Sequence, residues 1–264
     1  MRLGFIGCGN MASAIMGGIL KNGLMEATDI IGADVFAPSR ENAKENLGIQ
    51  VAEGNLEVVE KADMFVLSIK PQFYAEVIAE IKDAVKENQV VITLAPGKTL
   101  AWLEEQFGKP VKIVRTMPNT PAMVLEGMTG VCHNSYVTAE ELESALCILR
   151  AFGEAEVVPE KLMDAVVAVS GSSPAYVYMM IEAMADAAVA EGMPRAQAYK
   201  FAAKAVMGSA KMVLETGKHP GELKDMVCSP AGTTIEAVKV LEATGFRSSI
   251  MEAMEVCAEK CRGI

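Results

Sequence analysis

Residues 3–12, LGFIGCGNMA, decide how the rest of this sequence is read. The apolar run LGFIG ends at two closely spaced glycines, and AIMGGILKNG then repeats its apolar residues at helical spacing. A strand, a tight turn and a helix therefore frame Gly7-Cys8-Gly9-Asn10-Met11-Ala12, a GxGxxA pattern. In a dinucleotide site Gly7 makes the turn, Gly9 admits a pyrophosphate to the backbone, and the small Ala12 lets helix and strand pack closely. A glycine-rich turn with a purely structural role shows the same spacing. The place of this one, on the first strand of an alternating half, favours the dinucleotide site.

That alternation runs on from the turn. DIIGAD, MFVLSIK, VVITLA, VKIVRTM and TGVCH are short apolar runs bounded by Gly, Pro, Asn or Asp, with RENAKENLG, QFYAEVIAEIKDAV and LAWLEEQFG between them at helical periodicity. The order predicts a doubly wound α/β sheet. TAEELESALCILRAFG adds a helix whose Thr138 and Glu141 have capping-box spacing. From about Pro159 the strand pattern stops, and helical segments rich in Ala and Met continue to FRSSIMEAMEVCAEKC. The expected fold is an α/β Rossmann-like N-terminal domain over residues 1–158 and an all-α C-terminal domain over residues 159–264. So much apolar surface on so few helices implies a helical dimer interface.

Composition narrows the function classes. The 264 residues suffice for one large or two modest domains, and 34 acids against 24 bases, a net charge of −10, argue against binding nucleic acid. The longest apolar run, AYVYMMI at 175–181, is far short of the ~20 residues that cross a bilayer, so no membrane association is expected. The N-terminal residues lack the positive, apolar, small order of a signal peptide. Six cysteines without a CxxC and only two histidines offer neither a zinc site nor a disulfide framework, and the expected compartment is a reducing cytoplasm.

Several further stretches carry chemistry. Asp34 ends DIIGAD, where a carboxylate hydrogen-bonds the ribose hydroxyls of NADH and disfavours the 2′-phosphate of NADPH. Ser39 and Arg40 follow as the alternative, phosphate-binding pair, unless Ser39 only caps RENAKENLG, and the preference stays open. Ser68-Ile69-Lys70-Pro71 and Ala95-Pro96-Gly97 close the third and fourth runs, at the sheet edge where ligands bind. RTMPNTP (115–121) and SGSSPAYVY (170–178) interrupt apolar segments with Pro, Gly and hydroxyl residues. Ser173-Pro174 fits an N-cap and first helical residue, and the other reading of that break is close backbone access for a ligand. VCSPAGTTIEAV (227–238) is a turn opening a helix, with Thr233 or Thr234 at the N-cap place and N–H donors suited to a carboxylate or phosphate.

Taken together, GFIGCGNM, SIKP, RTMPNTPA, SGSSPAYVY, GMPRAQAYKFAAKAVMGSAKM and HPGELKDMVCSPAGTT resemble, in order and over nearly the whole chain, the pyrroline-5-carboxylate reductase family. Ala231 departs from it where the family usually has Gly, and Asp34 where small hydroxyl residues are common. The resemblance implies reduction of 1-pyrroline-5-carboxylate to L-proline, the final step of proline biosynthesis, with NADPH or NADH, in a homodimer or ring of dimers. It implies a carboxylate clamp at Ser229, Ala231, Gly232 and Thr233, with the Thr234 hydroxyl on the ring nitrogen as the catalytic contact. Glu160 is implied as a substrate-side residue, against a plain surface carboxylate. Ile6, Gly7, Cys8, Gly9, Asn10, Met11, Asp34, Asn55, Ile69, Lys70, Ala95, Pro96 and Gly97 are the implied cofactor residues, Asn55 on the resemblance alone.

Two other readings compete. A 3-hydroxyacid dehydrogenase would need a base, commonly Lys, on the interdomain helix, and residues 170–184 contain no Lys, His or Arg. A non-catalytic nucleotide sensor would not require the SPAGTT turn.

Overall fold

Alternation along the strands sorts side chains onto the two faces of one sheet. The computed structural model describes residues 1–263. Its strands are β1 (Leu3–Ile6), β2 (Ile30–Ala33), β3 (Gln50–Val51), β4 (Met64–Leu67), β5 (Val90–Thr93), β6 (Lys112–Met117), β7 (Gly127–His133) and β8 (Gly153–Val157). They form one sheet in the order β3-β2-β1-β4-β5-β6-β7-β8, parallel except where β7 runs antiparallel to β6. Every residue of β1, β2, β4 and β5 is buried, as expected of parallel strands covered on both faces.

Leu3, Phe5, Met64, Val66, Val90 and Ile92 face one core, which α1 (Asn10–Lys21) and α6 (Ala139–Arg150) complete with Ile15, Met16, Ile19, Ile148 and Leu149. Their neighbours Ile6, Phe65, Leu67 and Val91 face the other, closed by α3 (Asn55–Lys61), α4 (Tyr74–Ile81) and α5 (Leu100–Phe107). The remaining helix of this half is α2 (Ala37–Leu47). Strand order reverses between β1 and β4, which places a ligand crevice at their carboxyl ends.

The expected elements form, with informative exceptions. The Thr138–Glu141 capping box is present at the start of α6. Ser39 does not cap: α2 begins at Ala37 after Phe36, and Ser39 lies inside it. Strands β3 and β8 lie outside the sequence expectation. β3 is two residues long, and β8, GEAEV, is an edge strand whose acids stay partly or fully exposed, so it lacks an apolar run.

Contacts divide the chain into two compact units, Met1–Ser172 with the segment from Cys257 onward, and Ser173–Val256. Strands end before residue 159, but the helical residues that follow still belong to the first unit. They comprise α7 (Met163–Val166) and a π-helical turn, Val167–Gly171. Gly130 of β7 makes this possible, since a Cβ there would meet Val166 Cγ1 at 2.6 Å.

The second unit is helical: α8 (Ser173–Ala190), α9 (Arg195–Thr216), α10 (Pro220–Val227), α11 (Thr233–Ala243) and most of α12 (Phe246–Arg262). Its buried residues are alanines, Ala185, Ala198 and Ala202, whereas Phe201, Leu214 and Met251 are 64%, 74% and 70% exposed. An isolated soluble unit rarely leaves so much apolar surface in water.

Candidate functional site

The first constellation is built by the β1–α1 turn. Gly7 takes φ +97° and donates its N–H to Ala33 O at 2.7 Å, and a Cβ on it would lie 2.3 Å from Ser68 O. Only glycine fits both the left-handed backbone and that approach. Gly9 is the N-cap of α1, with no side-chain cap and no acidic residue in the first turn. A Cβ built on Gly9 meets nothing within 4 Å. The N-terminus of α1 therefore presents its donors to open space, the arrangement a pyrophosphate requires.

Two hollows flank this turn. One, of about 400 Å³, is lined by Gly9, Asn10, Met11, Ser68, Ile69 and Lys70 on one side and by Leu94, Met117, Asn119, Thr120 and Gly171 on the other. The second, of about 230 Å³, is lined by Ile6, Gly7, Asp34, Asn55, Ile69, Glu76 and Glu80. Asp34 Oδ2 accepts the Cys8 N–H and Oδ1 accepts the Phe36 N–H, each at 2.8 Å. The expected nucleotide residues thus converge, with two qualifications. Cys8 lines neither hollow: its N–H goes to Asp34, its side chain is buried, and burial, then the Asp34 charge, pushes the thiol up to about 12. Ala95, Pro96 and Gly97 follow β5 at the same sheet edge but line neither hollow. Tyr74 fixes that edge, its hydroxyl donating to Leu67 O at 2.6 Å and accepting the Leu94 N–H at 3.1 Å.

Asn119 and Gly171 were not assigned roles from sequence, although the anomalous RTMPNTP and SGSSPAYVY segments contain them. Asn119 Oδ1 accepts the Met128 N–H at 2.9 Å and Nδ2 donates to Ser170 O at 3.1 Å, which ties the loop after β6 to β7 and to the π-helical turn. Proline at 174 brings no N–H to that carbonyl, so the Asn119 amide supplies a donor the helix lacks. Neither partner is near Asn119 in sequence.

Glu160 is engaged within the first unit. Its Oε1 accepts the Leu100 N–H at 2.7 Å and pairs with Arg115 Nη1 at 2.8 Å, with Arg115 itself 3% exposed. It lines neither hollow.

The second constellation is the 229–234 turn of the helical unit. Ala231 sits at φ +55°, and the Gly232 N–H closes the turn on Ser229 O at 3.0 Å. Gly232, not Thr233 or Thr234, is the N-cap of α11: Thr233 is already its first helical residue, and the helix has no side-chain cap. Ser229 Oγ lies 2.4 Å from where a Gly232 Cβ would be, so the hydroxyl occupies the space that glycine leaves. The turn holds no charged side chain, and its donors are the N–H groups at the start of α11 together with the two threonine hydroxyls.

Comparison with known proteins interprets both constellations. Residues 160–264 match the family model for pyrroline-5-carboxylate reductase dimerisation, and residues 2–97 match a model described as NADP oxidoreductase, coenzyme F420-dependent. The pyrroline-5-carboxylate reductase of Escherichia coli K12 is 54% identical over 262 residues, 98% of this chain and 96% of that protein. The chain belongs to the pyrroline-5-carboxylate reductase family. Family structures agree in fold. The reductase from Coxiella burnetii superposes with a TM-score of 0.91 at 34% identity, covering 99% of this chain and 97% of that one. The Plasmodium falciparum pyrroline carboxylate reductase with NADP bound gives 0.91 at 31% identity, covering 100% and 97%. Within the family, the second unit here corresponds to the dimerisation region, which accounts for its exposed Phe201, Leu214 and Met251.

Proposed function

We propose that this chain reduces 1-pyrroline-5-carboxylate to L-proline with NAD(P)H, the final step of proline biosynthesis, as a homodimer through its helical unit. The carrying observation is the 54% identity to a pyrroline-5-carboxylate reductase over 98% of the chain. The open N-terminus of α1 and the 229–234 turn support it, since one suits a pyrophosphate and the other a small carboxylate. The start of the dimerisation match at residue 160 supports a boundary at 158/159 between the two family regions, whereas packing within the chain joins residues 159–172 to the first unit. Assembly as that homodimer alone or as a ring of such dimers, and a cytoplasmic location, belong to the same reading, the latter supported by six free cysteines.

When bound, the nicotinamide supplies a hydride to the ring carbon of the substrate's C=N bond. The chain's own residues bind and orient. Asn10 and Met11, at the N-terminus of α1, hold the pyrophosphate, and Asp34 with Asn55 holds the adenosine ribose. Ile6, Gly7, Gly9, Ile69 and Lys70 shape the groove, Cys8 holds the turn between them through its N–H to Asp34, and Ala95, Pro96 and Gly97 border it at the sheet edge. The turn Ser229, Ala231, Gly232 and Thr233 clamps the substrate carboxylate, the Gly232 N–H holding the turn closed on Ser229 O while the N–H groups around it at Ala231 and Thr233 face the carboxylate, and the Thr234 hydroxyl bonds the ring nitrogen. As the C–H bond forms, the C=N π pair becomes the nitrogen lone pair, and a protonated imine leaves that pair on neutral proline nitrogen. A neutral hydroxyl at 234 then suffices to orient the ring. Glu160 contributes indirectly, fixing the start of α5 and Arg115.

The test is loss of NADH or NADPH absorbance when the purified chain meets pyrroline-5-carboxylate, with pyrroline-2-carboxylate as control. Oxidation with the 5-carboxylate is the expected result. No oxidation by a folded, nucleotide-binding preparation would overturn the reading.

A further inference from the structure

The ribose end of the nucleotide groove in the first unit departs from a site for a phosphorylated ribose. Its hollow of about 230 Å³ is lined by Asp34, Glu76 and Glu80, with no Lys or Arg among the lining residues. Several donors at this end are already committed. Asn55 Nδ2 donates to Glu80 Oε2 at 2.8 Å, the Phe36 N–H goes to Asp34 Oδ1, and the Ser39 N–H goes to Phe36 O at 3.0 Å. Pro38, in the first turn of α2, has no N–H to offer. The nearby guanidinium, Arg40, is outside the lining and donates through Nη1 to the Asp34 main-chain oxygen.

We propose that this chain selects NADH over NADPH through that acidic, donor-poor ribose end. The proposal rests on the reductase reading only for its turnover assay. Ribose hydroxyls are donors, and an ionised carboxylate has about four lone-pair positions, so Asp34 accepts them while keeping the Cys8 and Phe36 N–H groups. A 2′-phosphate is an acceptor with negative charge, and it finds acceptors of the same sign. Asp34 sets the choice by contact, and Glu76 and Glu80 add repulsion that salt screens because both are exposed. The choice runs against the NADP of the Plasmodium falciparum structure and of the matching family model.

Fluorescence titration of the whole chain with NADH and with NADPH, without substrate, tests this. NADH binds at least about tenfold more tightly at low ionic strength, and the gap narrows toward 0.5 M salt, roughly as the screening length shortens. Asp34→Ser weakens NADH and strengthens NADPH. The double variant Glu76→Gln/Glu80→Gln alters only exposed side chains, so it folds even if Asp34→Ser does not, and it strengthens NADPH more than NADH. Equal or tighter binding of NADPH by the unaltered chain overturns the proposal, as does an unmoved ratio in the double variant. Loss of NADPH binding in Arg40→Ala, with NADH binding retained, would make Arg40 a phosphate ligand and also overturn it. Selective NADH binding without turnover of pyrroline-5-carboxylate would sink the reductase reading and leave the selectivity standing. Turnover with equal kcat/KM for both nucleotides would do the reverse.

Discussion

The turns that open α1 and α11 use nearly the same backbone. Gly9 has φ −73°, ψ −170°, Gly232 has φ −80°, ψ 168°, and neither helix has a side-chain cap. Each therefore offers helix-start N–H donors to an anion. They differ two residues upstream of the first and one residue upstream of the second. Gly7, at φ +97°, is walled by the Ser68 backbone, whereas Ala231, at φ +55°, is exposed and carries a methyl in the left-handed region. The nucleotide turn is held from behind by the sheet and admits glycine alone. The α11 turn is held by its own Ser229, and it tolerates an alanine at about 1 kcal/mol of strain.

The harshest way to break this comparison is Gly7→Ala. The new methyl would meet Ser68 O at 2.3 Å in a left-handed conformation, so we expect about 3 to 5 kcal/mol lost in denaturant unfolding and no measurable nucleotide binding. Near-native binding would show that the wall yields. Next is Thr234→Ala, expected to lower kcat/KM by about tenfold or more while nucleotide affinity, read by fluorescence, is unchanged. Native kinetics would remove Thr234 from the substrate contact.

Two smaller effects sharpen the contrast. Ala231→Gly relieves the left-handed strain, and a rise of about 0.5 to 1 kcal/mol, offset in part by glycine's greater unfolded freedom, should appear as a higher melting temperature. A drop would mean that the methyl packs usefully. Cys8 gives the last test. Its folded-state value, raised from 9.0 to about 12 by burial and by Asp34, means that the folded chain holds a proton the unfolded chain releases. This contribution is complete below pH 9 and is lost as pH rises toward 12, with a slope of about 1.4 kcal/mol per pH unit. Stability measured from pH 8.5 to 10.5 should fall less steeply in Cys8→Ala; identical slopes would contradict the assignment.

What was legible in the sequence follows the range of the interactions. The β1–α1 turn could be read because Gly7, Gly9 and Ala12 are neighbours, and the Thr138–Glu141 cap because its partners are three residues apart. The cap of α11 was misplaced onto threonine because Ala231, a poor residue for positive φ, hid how far the turn extends. Strand β8 was hidden by its acids, since an exposed edge strand need not be apolar. The Asn119–Ser170 clamp and the Arg115–Glu160 pair join residues far apart in the chain, and local patterns contain no trace of them.

The return of α12 to the first unit bears on how the chain is assembled. Cys257 Sγ lies 3.2 Å from Ser172 Oγ, and Cys261, 3% exposed, lies 3.4 Å from Asp164 Oδ1. On a ribosome the sheet emerges first, yet the helix that seats these cysteines arrives only after every residue of the second unit has been made. The nucleotide-binding half is therefore the first to begin folding and the last to finish. Its completion waits on contacts of high sequence separation, which form slowly.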